Sequence, residues 1–151
     1  MLESIAPAKL RLDRFMPPSP LRVITDHRLN NLATEYPVGS LTARLRPLPA
    51  RVLSTQLLRG MIPGILNRQR EIAAAEGEKV KTACAAAMRE ELGRERERLI
   101  ALRQVNDAIR PEEITAIEEQ MVGLEKYITT AQLRLDAVRL IFCGKIILDK
   151  V

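Results

Sequence analysis

Apolar residues recur with a heptad spacing over the last third of the chain. The steps between successive apolar positions alternate between three and four residues. These positions are Ile114, Ile117, Met121, Leu124, Ile128, Ala131, Leu135, Val138 and Phe142. Such spacing places one apolar stripe along a helix and is typical of a helix that packs against another helix. We therefore predict that residues 114–142 form the return arm of an antiparallel helical hairpin.

The tip of this hairpin is predicted between Gln104 and Glu113. Pro111 suits the first position of a helix, and the carboxylates of Glu112 and Glu113 favour the positive end of the helix dipole. The outgoing arm is predicted from Pro63 to Asn106, because this stretch is rich in Ala and contains no further proline. Its apolar row is less regular: Val80, Ala83, Met88, Leu92, Leu99, Leu102 and Val105. We expect Leu102 and Val105 to meet Ile114 and Ile117 at the tip.

The first sixty residues are predicted to form a small lobe with short elements. Residues 1–8 read as a flexible lead. Residues 10–15 and 21–25 are strand candidates, separated by the proline-rich segment 16–20. Short helices are expected over 40–46 and about 50–59. Since two short strands make no stable sheet alone, we expect them to pack on the helices or to join a sheet supplied from elsewhere.

The predicted fold is therefore mainly α. It consists of a long, coiled-coil-like antiparallel helical hairpin with a small α+β N-terminal part that contains one or two short strands. The lobe is assigned to residues 1–60, and the hairpin with a short tail to residues 61–151. Aromatic residues make up only 3% of the chain and tryptophan is absent. This composition predicts an aliphatic core of the kind that helices pack around.

The net charge of +5 is concentrated in the first sixty residues, which hold nine Lys and Arg against four Asp and Glu. The rest of the chain holds fifteen of each. Contacts with phosphate or with a protein partner are predicted for a set of four arginines, although arginines scattered over the surface explain the same pattern. The set is Arg44, Arg46, Arg51 and Arg59.

Residue types that carry chemistry are sparse. The single histidine, His27, follows Asp26 and is either a general base or a polar loop residue. The pairs 112–113 and 118–119 are acid–base carboxylates, metal ligands, or helix-end and surface glutamates. Residues 94–98 alternate Arg and Glu, and this run is either an RNA-binding segment or, as the alternating signs favour, a solvated face rich in i,i+3 and i,i+4 ion pairs. Gly144-Lys145 lacks the upstream glycine of a phosphate-binding loop. We therefore predict no catalytic, cofactor-binding or metal site.

The two cysteines, Cys84 and Cys143, are expected to be free thiols that pack as small apolar residues in a reducing compartment. The N-terminus lacks the basic start and apolar run of a secretory signal. The most apolar stretch, 137–148, is too short and too charged to cross a bilayer. These features predict a cytoplasmic protein with no membrane partner.

Three segments of the chain are similar to a known family, namely Phe15–Val23 (FMPPSPLRV), Asp26–Arg28 and Leu99–Ile141. They resemble the carboxy-terminal region of the RapA family, the bacterial RNA polymerase-associated recycling factors of the Swi2/Snf2 ATPase type. The resemblance implies a non-catalytic accessory domain of an ATP-dependent, helicase-like translocase. It also implies RNA polymerase and the upstream ATPase lobes as partners, association with the bacterial nucleoid, and ATP and Mg²⁺ bound in those lobes.

The residues themselves leave two other functions open. The regular apolar stripe of the return arm is compatible with a free-standing coiled-coil protein that dimerises. The basic first part of the chain is compatible with a nucleic-acid-binding module.

Overall fold

The structure, a computed structural model, describes residues 1–41, 45–46 and 55–142. Two helices dominate it, α1 over Thr55–Arg103 and α2 over Pro111–Thr129. Two short strands, β1 over Leu2–Glu3 and β2 over Gln132–Leu133, form an antiparallel pair. Single 3-10 turns span Ala8–Leu10 and Leu12–Arg14. The predicted mainly helical fold, with a helical hairpin and a small strand-containing N-terminal part, is confirmed.

The turn between the helices lies where the sequence predicts it. Helix α1 ends at Arg103, and Pro111 is the first residue of α2. The Glu113 side chain accepts a hydrogen bond from the Arg110 backbone N–H at 3.1 Å, and the Glu113 N–H donates to the Arg110 carbonyl at 3.1 Å. These two bonds satisfy backbone groups that a helix start leaves without intrahelical partners.

Contacts divide the chain into two compact units. The first comprises Met1–Leu21 and Ala75–Arg134, and the second comprises Arg22–Ala74 and Leu135–Val151. The domain boundary predicted at residue 60 stays a prediction, because units defined by contacts are not necessarily independently folding domains.

The core lies in the first unit and is almost entirely aliphatic. Four of its side chains are completely buried, namely Leu2, Met88, Leu124 and Ile128. Leu12, Phe15 and Met16 cover this cluster from the N-terminal segment, and Leu92 on α1 and Ala131, between α2 and β2, extend it. The apolar stripe of α2 therefore closes on α1 and on the N-terminal segment.

The N-terminal residues are not a flexible lead, so that prediction is wrong. Leu2 is fully buried and pairs with Leu133, and its backbone also exchanges hydrogen bonds with Ser19 at 2.9 and 3.1 Å. Residues 10–15 form no strand, because Arg11 adopts a left-handed conformation (φ 51°) between two 3-10 turns. Of residues 21–25, only Thr25 pairs, in an isolated bridge with Asn31.

The helix predicted to reach Phe142 ends at Thr129. Thr129 and Thr130 donate their hydroxyls to the carbonyls of Glu125 and Lys126 at 2.8–3.0 Å. These bonds satisfy carbonyls at the helix end, where no further turn follows. Pairing of β2 with β1 then holds the chain in an extended form, so this tertiary contact overrides the helical pattern.

The outgoing helix also differs from its predicted bounds. Helix α1 runs unbroken through Gly60 and Pro63, where the sequence predicted a stop and a new start. A proline removes one backbone hydrogen bond, and the strong helix formers that follow it maintain the helix. At the other end, Leu99 is buried, whereas Leu102 and Val105 are 37% and 82% exposed. The predicted packing of Val105 at the tip is therefore wrong.

Candidate interaction surfaces

Ion pairs between the helices fix the register of the hairpin. Arg96 Nε donates to Glu118 Oε1 at 2.6 Å, and Arg89 is paired with Glu125 two turns further from the tip on both helices. The hydrogen bond from Arg89 lowers the pKa of Glu125, and the same bond raises the pKa of Arg89. All four side chains are well exposed, so these pairs select an alignment more than they add stability.

The two ion pairs border an open groove of about 410 Å³ between the helices. Its apolar lining comes from Gly93, Met121 and Val122. A methyl group at position 93 would meet no atom within 4 Å, and Val122 is largely exposed. Four of the five charged side chains that line the groove are paired with each other, and the fifth, Glu97, is exposed. This groove therefore suits protein contacts rather than reactive chemistry.

A second shallow pocket lies at the hairpin tip. It has a volume of about 330 Å³ and is lined by Ile100, Arg103, Gln104 and Ile114. Leu102 and Val105 add exposed apolar surface nearby in the chain. The pocket contains no carboxylate or histidine, so it offers no group for acid–base catalysis.

The Asp26–His27 pair belongs to a turn in the second unit. Asp26 Oδ1 accepts the backbone N–H groups of Arg28 and Asn30 at 2.9 and 2.8 Å, and Oδ2 accepts the Asn30 side-chain amide at 2.9 Å. The Asn30 side-chain bond is the main cause that lowers the pKa of Asp26. His27 is exposed. The carboxylate shapes the turn, and the arrangement favours the loop interpretation of His27 over a general base.

The other charged motifs also have structural partners. Glu113 caps α2, and Glu118 pairs with Arg96 across the hairpin. Within residues 94–98, Arg98 pairs with Glu95 at 2.6 Å, and this hydrogen bond lowers the pKa of Glu95. The predicted face of i,i+3 and i,i+4 ion pairs is confirmed, with Arg96 as the member that crosses to α2.

The arginines predicted as phosphate or partner contacts are only partly described. Arg46 and Arg59 are exposed. Arg44 and Arg51 lie outside the described residues. The set therefore stays a prediction.

Cys84 is half-buried beside the core, and this burial raises the pKa of its thiol. A raised pKa disfavours the reactive thiolate, which agrees with the predicted packing role. Cys143 lies outside the described residues. Among residues 1–41, 45–46 and 55–142, no group of three His, Cys, Asp or Glu could hold a metal ion. No helix within these ranges is long and apolar enough to cross a membrane.

An exposed apolar segment was missed at the sequence level. Residues 135–142 follow β2 with their apolar side chains largely in solvent. The heptad pattern assigned them to a helix. Six of these eight residues are apolar, and a short, nearly continuous apolar run is the signal that would have indicated a strand covered on both faces.

Comparison with known proteins assigns this chain to a family. A protein-family model described as "RNA polymerase recycling family C-terminal" (RapA_C) matches residues 1–143. The chain belongs to this family. The resemblance found in segments 15–23, 26–28 and 99–141 is thereby confirmed, and the RapA_C match includes every described residue.

Curated relatives carry the name "RNA polymerase-associated protein RapA". The chain is 34% identical to the protein of Vibrio campbellii over 143 residues, which are 93% of this chain and 15% of the relative. It is 33% identical to that of Actinobacillus pleuropneumoniae serotype 3 over 148 residues (96% and 15%). For Haemophilus influenzae strain PittEE the identity is 30% over 147 residues (96% and 16%). The chain thus spans about a sixth of the length of these relatives.

Proposed function

We propose that this chain is the non-catalytic C-terminal accessory part of a RapA-like, ATP-dependent transcription factor that binds RNA polymerase and promotes its recycling. The observation that carries the proposal is the RapA_C match over residues 1–143. The names of the curated relatives, RNA polymerase-associated proteins, support polymerase as the partner. The proposed role implies that the protein is in the cytoplasm, in association with the nucleoid.

The side-chain arrangement supports a binding role for this part of the chain. Two of the three carboxylates beside the interhelical groove, Glu118 and Glu125, are paired with arginines, and the third, Glu97, is exposed. The described pockets are shallow and open, whereas sites for catalysis enclose their substrates. ATP and Mg²⁺ would be held by lobes in the remaining five-sixths of a RapA-like protein.

A transcription assay with three proteins tests this proposal. The first is native Vibrio campbellii RapA, the second lacks the region that matches this chain, and the third carries residues 1–143 of this chain in its place. Multi-round transcription with the Vibrio campbellii polymerase should fall without the region and return with the replacement. ATP hydrolysis should persist in all three proteins, because the proposal places the ATPase elsewhere.

Two outcomes would overturn the proposal. Full recycling by the protein that lacks the region would show that the region is dispensable. ATP hydrolysis by the isolated 151-residue chain would show that the chain is itself an enzyme.

A further inference from the structure

The segment that follows β2 exposes apolar side chains without forming a helix or a turn. From residue 134 to residue 142 the backbone has no helix, turn or bend. The exposed fraction of the side chain is 72% for Leu135, 57% for Val138, 51% for Leu140 and 55% for Phe142. Four large apolar side chains within eight residues are far more than scattered surface exposure explains.

The exposed side chains would lie on both faces of an extended chain. Side chains alternate between faces, so the exposed Val138, Leu140 and Phe142 share one face, and the exposed Leu135 and the half-buried Ile141 share the other. A near-continuous apolar run of this kind is typical of a strand that is covered on both faces inside a sheet. An edge strand with one solvated face would instead alternate apolar and polar residues.

Within the part of the chain that the structure describes, the backbone of this segment also lacks hydrogen-bond partners. Among residues 1–41, 45–46 and 55–142, no backbone hydrogen bond joins 135–142 to another part of the chain. Backbone N–H and C=O groups in folded proteins are almost always paired. Neighbouring strands would satisfy these groups and would bring the layers that cover the apolar side chains.

The size of the segment argues against a second copy of this chain as the occupant. A standard interface between separate proteins uses about 20–30 residues on each side, and this segment supplies eight. Its two charges, Asp136 and Arg139, are of opposite sign and give no net attraction to a separate partner. A sheet in the same polypeptide needs no such area, because tethering raises the effective concentration.

We propose that residues 135–142 form an inner strand of a sheet whose other strands come from the rest of the RapA-type polypeptide. The curated relatives are about six times as long as the matched region, so they contain ample chain to supply this sheet. The proposal rests on the proposed function only in taking this chain as part of such a longer protein.

Hydrogen exchange tests the proposal without polymerase or nucleotide. Amides of residues 135–142 are compared in the 151-residue chain and in Vibrio campbellii RapA that carries residues 1–143 at the matching region. We expect exchange at least about 100-fold slower in the long protein, and fast exchange in the short chain at both about 5 µM and about 200 µM. The aligned peptides of native Vibrio campbellii RapA should be protected to the same degree. The native protein therefore still tests the proposal if the replacement protein does not fold.

A pair of valine variants provides the control. Val138→Asp should lower the melting temperature of the long replacement protein and leave that of the short chain unchanged. Val105, at the hairpin tip, is more exposed than Val138. Val105→Asp should therefore change the melting temperature of neither protein.

Fast exchange in both the replacement protein and native RapA would overturn the proposal. Protection that grows with the concentration of the short chain would assign the segment to a second copy and would also overturn it. Protected amides in a protein that fails the transcription assay would contradict the proposed function alone.

Discussion

The side chain of Leu10 lies directly against helix α2 at Gly123. A methyl group at position 123 would be 3.1 Å from Leu10 Cδ2 and 3.3 Å from Cδ1. Such contacts are closer than ordinary van der Waals packing, so the glycine allows the first 3-10 turn to approach the helix backbone. Gly93 of α1 differs, because a methyl group there would meet no atom within 4 Å.

This difference predicts opposite results for two Gly→Ala substitutions. Gly93→Ala should raise the free energy of unfolding by up to about 1 kcal/mol, since alanine is the better helix former. Gly123→Ala should raise it less or lower it, because Leu10 must move. Urea denaturation of the isolated chain measures both. In a Leu10→Ala background the Gly123→Ala change should become as favourable as Gly93→Ala, and equal gains in the native background would contradict the close contact.

Burial of Leu2 predicts that the N-terminal strand is part of the core. Leu2→Ala should lower the free energy of unfolding by about 2–5 kcal/mol, the range for removing buried leucine side chains. Ile5→Ala is the matched control, because Ile5 is almost fully exposed and its loss should cost less than about 0.5 kcal/mol. Thermal and urea unfolding of the two variants give the comparison. Equal free energies of unfolding for Leu2→Ala and Ile5→Ala would mean that the N-terminus is the flexible lead that the sequence predicted.

The tip of the hairpin offers a second matched pair. Leu99 is buried, so Leu99→Asp should cost about 3–5 kcal/mol, the penalty for an uncompensated buried charge. Val105→Asp should leave the unfolding midpoint almost unchanged, because the Val105 side chain faces solvent. If Val105→Asp instead lowered the free energy of unfolding more than Leu99→Asp, the two helices would pack together at the tip, as the heptad pattern predicted.

The interhelical ion pairs predict a loss of stability in acid. Hydrogen bonding to Arg89 lowers the pKa of Glu125 below its ordinary value of 4.5. A carboxyl whose pKa is lower in the folded state contributes stability above the unfolded pKa and loses it as the pH falls through the folded value. Glu125→Gln should therefore weaken the pH dependence of the urea midpoint below about pH 4.5.

Glu119→Gln is the control for this titration. Glu119 is exposed on the same helix and forms no ion pair among the described residues. Its substitution should leave the pH profile unchanged. A profile for Glu125→Gln that matched the native one would show that the pair with Arg89 has no role in solution.

The helical hairpin was predictable because its signals are local. The heptad positions from Ile114 to Ile128, together with Pro111 and the glutamates after it, specify a helix and its start. The charges of residues 94–98 likewise predicted an ion-paired surface. The charge pattern could not show the contact between Arg96 and Glu118, because that contact depends on how the two helices align.

The remaining elements depend on contacts between distant residues. Ala131 and Leu135 fit a heptad, whereas Ala131, Leu133 and Leu135 fit a two-residue alternation. Pairing of Leu133 with Leu2 decides for the strand. No local pattern marks Leu2 as a core residue. The left-handed Arg11 likewise divides an apparently alternating segment into two 3-10 turns, and side-chain identity alone gives no warning of this.

The pairing of Leu2 with Leu133 also sets an order of events during protein synthesis. These residues are 131 positions apart, and a ribosome adds about 5–20 residues per second. The β1 segment therefore waits on the order of ten seconds before its partner strand has been made. Until then the apolar side chains of Leu2, Phe15 and Met16 lack the helix that buries them. Folding of the first unit is consequently a late, long-range step, and it is the stage at which the nascent chain is most exposed to aggregation and to chaperones.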